Sequence, residues 1–327
     1  MKKIYGHTSQ IEGLAQAVRR GRLNHAYIFE GVDGIGKRMV AHHLAQIAVC
    51  EKQDGAVCGR CQSCQKSEAG SHPDIVTVDS EFIQDGKIKE GSVDAMRLFK
   101  RDVYSKPFLA ERKVYIIPQA DQMLLPAQNS LLKVLEEPPS YCTVILLCEN
   151  AQKLLETVRS RAVLLHFQPL NDQDMSAYLA DHFGREQVDE LLRLAGGIPR
   201  RAEEIAGDEA FFERRSQAAG LFADYLCSTG DMLPCSRFLE GEKDRIGLFL
   251  DEYLVLMRDA VFAAAGEEEA KDDLSGYARK IAKRAGLDGA AAIFEILQET
   301  SRRLGSNANF SLTVTDMLLR SWERANG

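Results

Sequence analysis

Two groups of residues have types and spacing suited to chemistry. Gly31-Val32-Asp33-Gly34-Ile35-Gly36-Lys37 fits the G-x-x-x-x-G-K pattern of a phosphate-binding loop. Glycines let backbone N–H groups curl around phosphate oxygens, and a helix N-terminus behind them adds positive potential. Lys37 would reach the outer phosphates. A glycine-rich turn with a chance lysine is the bland alternative; a strand before the loop and a helix after it argue against that. The next residue departs from the pattern. Arg38 stands where a Ser or Thr hydroxyl would ligate magnesium, and a guanidinium cannot do so. The second group is Cys50, Cys58, Cys61 and Cys64, spaced C-x7-C-x2-C-x2-C. Four thiolates at such spacing close a tetrahedral zinc site with no open position, which means a structural role.

Hydrolysis needs a second acidic site, an Asp for magnesium and often a Glu for water, at a strand end. The candidate strand "KVYII" runs into Pro118-Gln119, with no carboxylate at either position. Asp121 follows three residues after Pro118, too late in register. With Arg38 these losses predict no intrinsic hydrolysis and no Mg2+ site. Lys37 is kept, so passive binding of ADP or ATP stays open.

Around the cysteines, "EKQDGAV" reads as loop and "GRCQSCQ" has little apolar content, so a metal would supply the missing stabilisation. A redox pair or spare buried cysteines are the alternatives. His72 in "GSHPD" is not needed as a ligand and reads as a loop or turn residue. Cys142, Cys148, Cys227 and Cys235 are scattered and read as ordinary core or surface residues.

The elements that must hold these groups are α/β in the first 165 or so residues. "AYIFE" (26–30), "DIVTVD" (74–79), "KVYIIP" (113–118), "TVILLC" (143–148) and "AVLLHF" (162–167) are strand candidates. "MVAHHLAQIAVC" (39–50) has helical spacing, with Val40, Leu44 and Ile47 on one face. Strands alternating with helices imply a largely parallel sheet covered on both faces. From "NDQDMSAYLADHF" onward the pattern is helical, punctuated by Gly196, Gly197 and Pro199. Ile293, Ile296, Leu297, Thr300 and Leu304 form a helical stripe. "AGEEEAKDD" (265–273) reads as a solvated acidic loop or helix end.

The chain's 327 residues suffice for two or three domains. A formal charge of −7 argues against binding nucleic acid by its own field. The apolar run Val144 to Cys148 falls far short of the roughly 20 residues that span a membrane. No apolar run follows the lysines of "MKKIYGHTSQ", so no secretory signal is read there. A cytoplasmic location is expected, and clustered cysteines then suggest metal over disulfides.

"GRLNHAYIFEGVDGIGKR", the cysteine insert after the first helix, "NSLLKVLEEPP" (129–139) and "TVRSRA" (157–162) together resemble bacterial DNA polymerase III clamp-loader subunits of the AAA+ superfamily. The degenerate nucleotide loop and "SNANFSLTVTDMLLR" (306–320) narrow the likeness to the family's delta-prime branch. The resemblance implies an α/β AAA+ domain over 1–167 with a zinc module at 50–64. A small helical lid domain over 168–207 and an all-α collar over 208–327 would follow. It implies a subunit that does not hydrolyse ATP. Such a subunit sits in a hetero-pentamer with motor (gamma/tau) and delta subunits, meeting primed DNA and the sliding clamp through the complex. It also implies that Arg161, with Ser160, serves as an arginine finger to a neighbouring ATP site. The family pattern Ser-Arg-Cys has become Ser160-Arg161-Ala162 here. Read alone, Arg161 would be a surface arginine at a strand start. "GGIPRRA" (196–202) resembles the lid sensor motif, with Arg200 at its arginine, and Glu149-Asn150 occupies the first sensor region. A carboxylate there would repel phosphate.

Three classes are therefore weighed: a non-hydrolysing loader subunit, an active motor subunit of the same loader, and a free-standing zinc protein that binds nucleic acid. Arg38 and Pro118-Gln119 oppose the second. The acidic balance and the lack of interleaved basic and aromatic residues oppose the third.

Overall fold

A computed structural model describes residues 3–79, 92–228, 231–266, 274–305 and 308–327. Most of the acidic run 265–273, and residues 306 and 307, lie outside them. The chain divides into two compact units, Met1–Glu204 and Ile205–Gly327. The segment 168–207, expected as a separate small helical domain, falls within the first unit up to Glu204.

In the first unit five strands form one sheet: β1 (Ala26–Glu30), β2 (Ile75–Thr77), β3 (Lys113–Ile117), β4 (Cys142–Cys148) and β5 (Val163–His166). Their order is β2-β3-β4-β1-β5, and every pairing is parallel. β1, β3 and β4 are buried along nearly their whole length, as a sheet covered on both faces requires. Alternation along each strand divides the side chains between two cores. Ala26, Ile28, Tyr115, Ile117, Val144 and Leu146 face α4 (Val93–Val103) and α5 (Leu125–Glu136). Tyr27, Phe29, Val114, Ile116, Ile145 and Leu147 face α1 (Thr8–Arg19) and α2 (Lys37–Val49). Among the described residues the remaining α-helices of this unit are α3 (Gln62–Glu68), α6 (Glu156–Arg159), α7 (Asp172–His182) and α8 (Arg185–Ala195); α9 (Pro199–Ala206) carries the chain across the division.

Local chemistry fixes several ends. Ser92 caps α4 by accepting the Ala95 N–H. Pro126 sits in the first turn of α5, and Pro138-Pro139 follow its end, so its last helical residue is Glu136.

The described residues of the second unit are helical: α10 (Phe211–Cys227), α11 (Leu233–Gly241), α12 (Ile246–Ala265), α13 (Ser275–Leu304) and α14 (Phe310–Asn326). Ile293, Ile296, Leu297 and Thr300 are buried on α13, the stripe read from the sequence, while Leu304 packs at its edge. Gly286, at φ +66°, breaks the helical path inside α13. Phe222 of α10 stacks on Tyr253 of α12 at 4.4 Å. Arg215 and Glu252 form a buried ion pair at 2.6 Å between the same two helices.

Candidate nucleotide cleft, cysteine centre and arginine surface

The carboxyl ends of β1, β3 and β4 open on one cleft of about 710 Å³, the usual ligand position in a parallel α/β sheet. Gly34, Gly36, Lys37, Arg38 and Arg200 all line it. Gly31 lies at the loop's start, and its carbonyl faces Lys37. Gly34 has φ +81°, and a Cβ there would fall 2.4 Å from that of Arg200, so only glycine fits. Gly36, at φ +103°, is the N-cap of α2, and the loop is braced by the His7 ring, 2.8 Å from the Ile35 carbonyl. The first-turn N–H groups of α2 thus head into the cleft with the positive end of the helix dipole.

The charges show what this loop can do. Lys37 is buried, and its ammonium donates to the Gly31 and Val32 carbonyls at 2.6 and 2.8 Å. Burial lowers its pKa, and the nearby Asp33, Glu149, Cys148 and Asp121 oppose that shift. Arg38 ion-pairs with Asp79 at 3.3 Å. Arg200 ion-pairs with Asp33 of the loop at 2.6 Å and with Glu204 at 3.0 Å, and its backbone N–H meets the Gly34 carbonyl. The site's cations are therefore largely matched by carboxylates of the same chain.

Asp121 is a cleft residue that the sequence reading set aside as too late in register. It lies in a short 3₁₀ turn, Ala120–Gln122, and lines the cleft despite coming three residues after Pro118. Its carboxylate accepts the N–H groups of Glu149 and Asn150 at 3.3 and 3.2 Å, tying the end of β3 to that of β4. Glu149 also lines the cleft. Asp33, Asp79, Tyr5, Tyr178 and Glu203 also line it and were not singled out from the sequence. They come from segments far apart in the chain, and only the sheet's topology joins them.

Cys50 follows α2; Cys58 lies in the loop; Cys61 caps α3, and Cys64 stands in its first turn. Their four sulfurs all lie within 4.8 Å of one another. Cys58 and Cys64 Sγ are 3.8 Å apart. Tetrahedral zinc with Zn–S near 2.3 Å puts neighbouring sulfurs about 3.8 Å apart, so this cluster could hold such an ion. Backbone N–H groups of Arg60 and Cys61 draw the Cys58 thiol down to about 6, and burial pushes Cys64 up to about 12. His72 is outside this cluster. It is buried, with Nδ1 accepting the Asp74 N–H. Cys142, Cys148 and Cys235 are buried and Cys227 is half-buried.

Arg161 lies outside the cleft, in the turn between α6 and β5. Its Nη1 donates to the Thr157 carbonyl at 2.9 Å and to Ser160 Oγ at 3.3 Å. Its Nη2 lies 3.1 Å from Glu136 Oε1, at the end of α5. The segment leading into α6 is pinned by buried Gln128 of α5, which donates to the Met123 and Lys153 carbonyls and accepts the Leu155 N–H.

Residues 6–171 match the family model described as "DNA polymerase III, delta subunit". The chain is 29% identical over 317 residues to DNA polymerase III subunit delta' of Bacillus subtilis, spanning 94% of this chain and 93% of that one. It is 34% identical over 214 residues to subunit delta' of Pseudomonas aeruginosa, 64% of this chain and 62% of that one. It is 31% identical over 186 residues to subunit tau/gamma of Haemophilus influenzae, which is 57% of this chain and only 26% of that protein.

Proposed function

The chain belongs to the DNA polymerase III delta-subunit family of AAA+ clamp loaders, in its delta'-like branch, and on that footing we propose that it is a loader subunit which does not hydrolyse ATP. The observation that carries this reading is Arg38. The position that should offer magnesium a hydroxyl holds a guanidinium, and that guanidinium is paired with Asp79. Pro118 and Gln119 add no carboxylate at the end of β3. Asp121, the nearest one, accepts two backbone N–H groups. ADP or ATP would bind at Gly31, Gly34, Gly36, Lys37, Arg38 and Arg200 as a passive ligand.

Arg161 is then the residue through which this subunit enters the chemistry. Its guanidinium is offered, beside Ser160, to the phosphoryl group in the nucleotide site of a neighbouring gamma/tau-type subunit. An arginine supplied in trans speeds other nucleotidases by about 10³–10⁵. Zinc held by Cys50, Cys58, Cys61 and Cys64 fixes the insert between α2 and β2. The second unit supplies the collar contact that assembles the loader with its motor and delta subunits, and primed DNA and the sliding clamp are met through that assembly.

The alternative is an active gamma/tau-like motor of the same loader, favoured by matches to tau and gamma subunits over 57% to 66% of the chain. Two measurements separate these readings. In a loader reconstituted with its motor and delta subunits, Arg161→Ala should preserve assembly and slow DNA-stimulated turnover by about tenfold or more. An unchanged rate would remove Arg161 from the role. ATP hydrolysis by the isolated chain at a motor's rate would establish the alternative.

A further inference from the structure

Arg161 does not hold its own geometry. An arginine side chain is long and rotamer-rich, and a finger that must meet a phosphoryl oxygen gains from being preset. Three acceptors restrain this one. Thr157 and Ser160 belong to its own turn, whereas Glu136 comes from a different element. The helix α5 holds the finger segment at two points. Gln128 anchors the entry to α6, and Glu136, eight residues further along α5, meets Arg161. Eight residues of helix span about 12 Å, and the segment 155–161 runs alongside that length. The helix stops at Glu136, with Pro138-Pro139 just beyond, so the backbone that carries this side chain has a defined place.

The donor count supports the same point. A guanidinium has five N–H donors. Nη1 donates twice, Nη2 lies 3.1 Å from the Glu136 carboxylate as an ion pair, and among the described residues Nε–H has no protein acceptor. The edge formed by Nε and Nη2 is the edge that can meet an oxyanion side-on.

We propose that Glu136 is a positioning residue: its carboxylate holds the Arg161 guanidinium so that the Nε–Nη2 edge faces the γ-phosphoryl group in a neighbouring subunit's nucleotide site. This rests on the finger reading of Arg161. Glu136 itself touches no nucleotide, so it acts on the rate through Arg161 and not on binding.

The test is a double-mutant cycle in the reconstituted loader, using Glu136→Ala, Glu136→Gln, Arg161→Ala and the double variant Glu136→Ala/Arg161→Ala. Assembly and thermal unfolding are checked for each. Glu136→Ala should lower DNA-stimulated kcat by about three- to tenfold, with KM for ATP unchanged within about twofold, the size expected for loss of one orienting contact. Glu136→Gln keeps an oxygen near Nη2 without the charge of the ion pair and should fall between Glu136→Ala and the wild type. The double variant should be no slower than Arg161→Ala. If Arg161→Ala is slow while Glu136→Ala runs at the wild-type rate, or if the two losses multiply, Glu136 has no positioning role and the finger reading stands. If Arg161→Ala runs at the wild-type rate, both fall.

Discussion

Arg38 shows how one side chain sets the limits of a site. Its position in G-x-x-x-x-G-K-x was legible in the sequence, because the motif is local and its chemistry depends on residue type. Its partner Asp79, and the pairing of Arg200 with Asp33, were not legible, since each joins residues distant in sequence. Restoring a hydroxyl alone should not create a motor. Arg38→Ser in the isolated chain is expected to show no phosphate release above background, because the Asp–Glu pair is still missing at Pro118-Gln119; sustained turnover in that variant would show that Asp121 or Glu149 does the missing work. The cysteines make a second residue-scale prediction. Metal analysis of the wild type should give about one zinc per chain, and Cys58→Ser/Cys61→Ser should lose it. A wild-type protein free of metal would refute the zinc centre. Because the ligands bind as thiolates, zinc retention should also weaken as pH falls.

At the scale of elements the strands were the most readable feature. Apolar or β-branched runs marked all five, and each observed end lies within two residues of the expected one. The trimming has a physical cause. Asp74, expected to open β2, is buried and instead accepts the N–H groups of Phe108, Leu109 and Ala110 at 2.6, 2.7 and 2.8 Å. This single carboxylate secures the loop before β3. Asp74→Ala would leave three half-buried donors unsatisfied and should cost about 3 kcal/mol of stability by denaturant unfolding. A loss under about 0.5 kcal/mol would mean that water replaces the carboxylate at little cost. The 3₁₀ turn Ala120–Gln122 is the feature that periodicity could not show. Three residues carry no repeat to read, yet the turn is what brings Asp121 back into the cleft.

For the whole molecule, the sequence separated a strand-bearing part from a helical remainder, since β-branched runs end near residue 167. It could not reveal the ion pair inside the second unit, where Arg215 and Glu252 lie 37 positions apart. Removing one partner strands the other charge, so Glu252→Ala should destabilise that unit by about 3–5 kcal/mol, and pairing Arg215→Met with Glu252→Leu should recover most of it. Equal stability for Glu252→Ala and the wild type would mean that the pair adds nothing. The two units then have separate work in the proposed account. The first presents Arg161 and the cysteine centre, and the second provides the collar. That division holds only if the chemistry belongs to a neighbour. The direct measurement is steady-state phosphate release by the isolated chain at saturating ATP and magnesium. The account predicts a rate indistinguishable from a protein-free blank. Turnover near the common enzymatic range, about 1 s⁻¹ or faster, would contradict it.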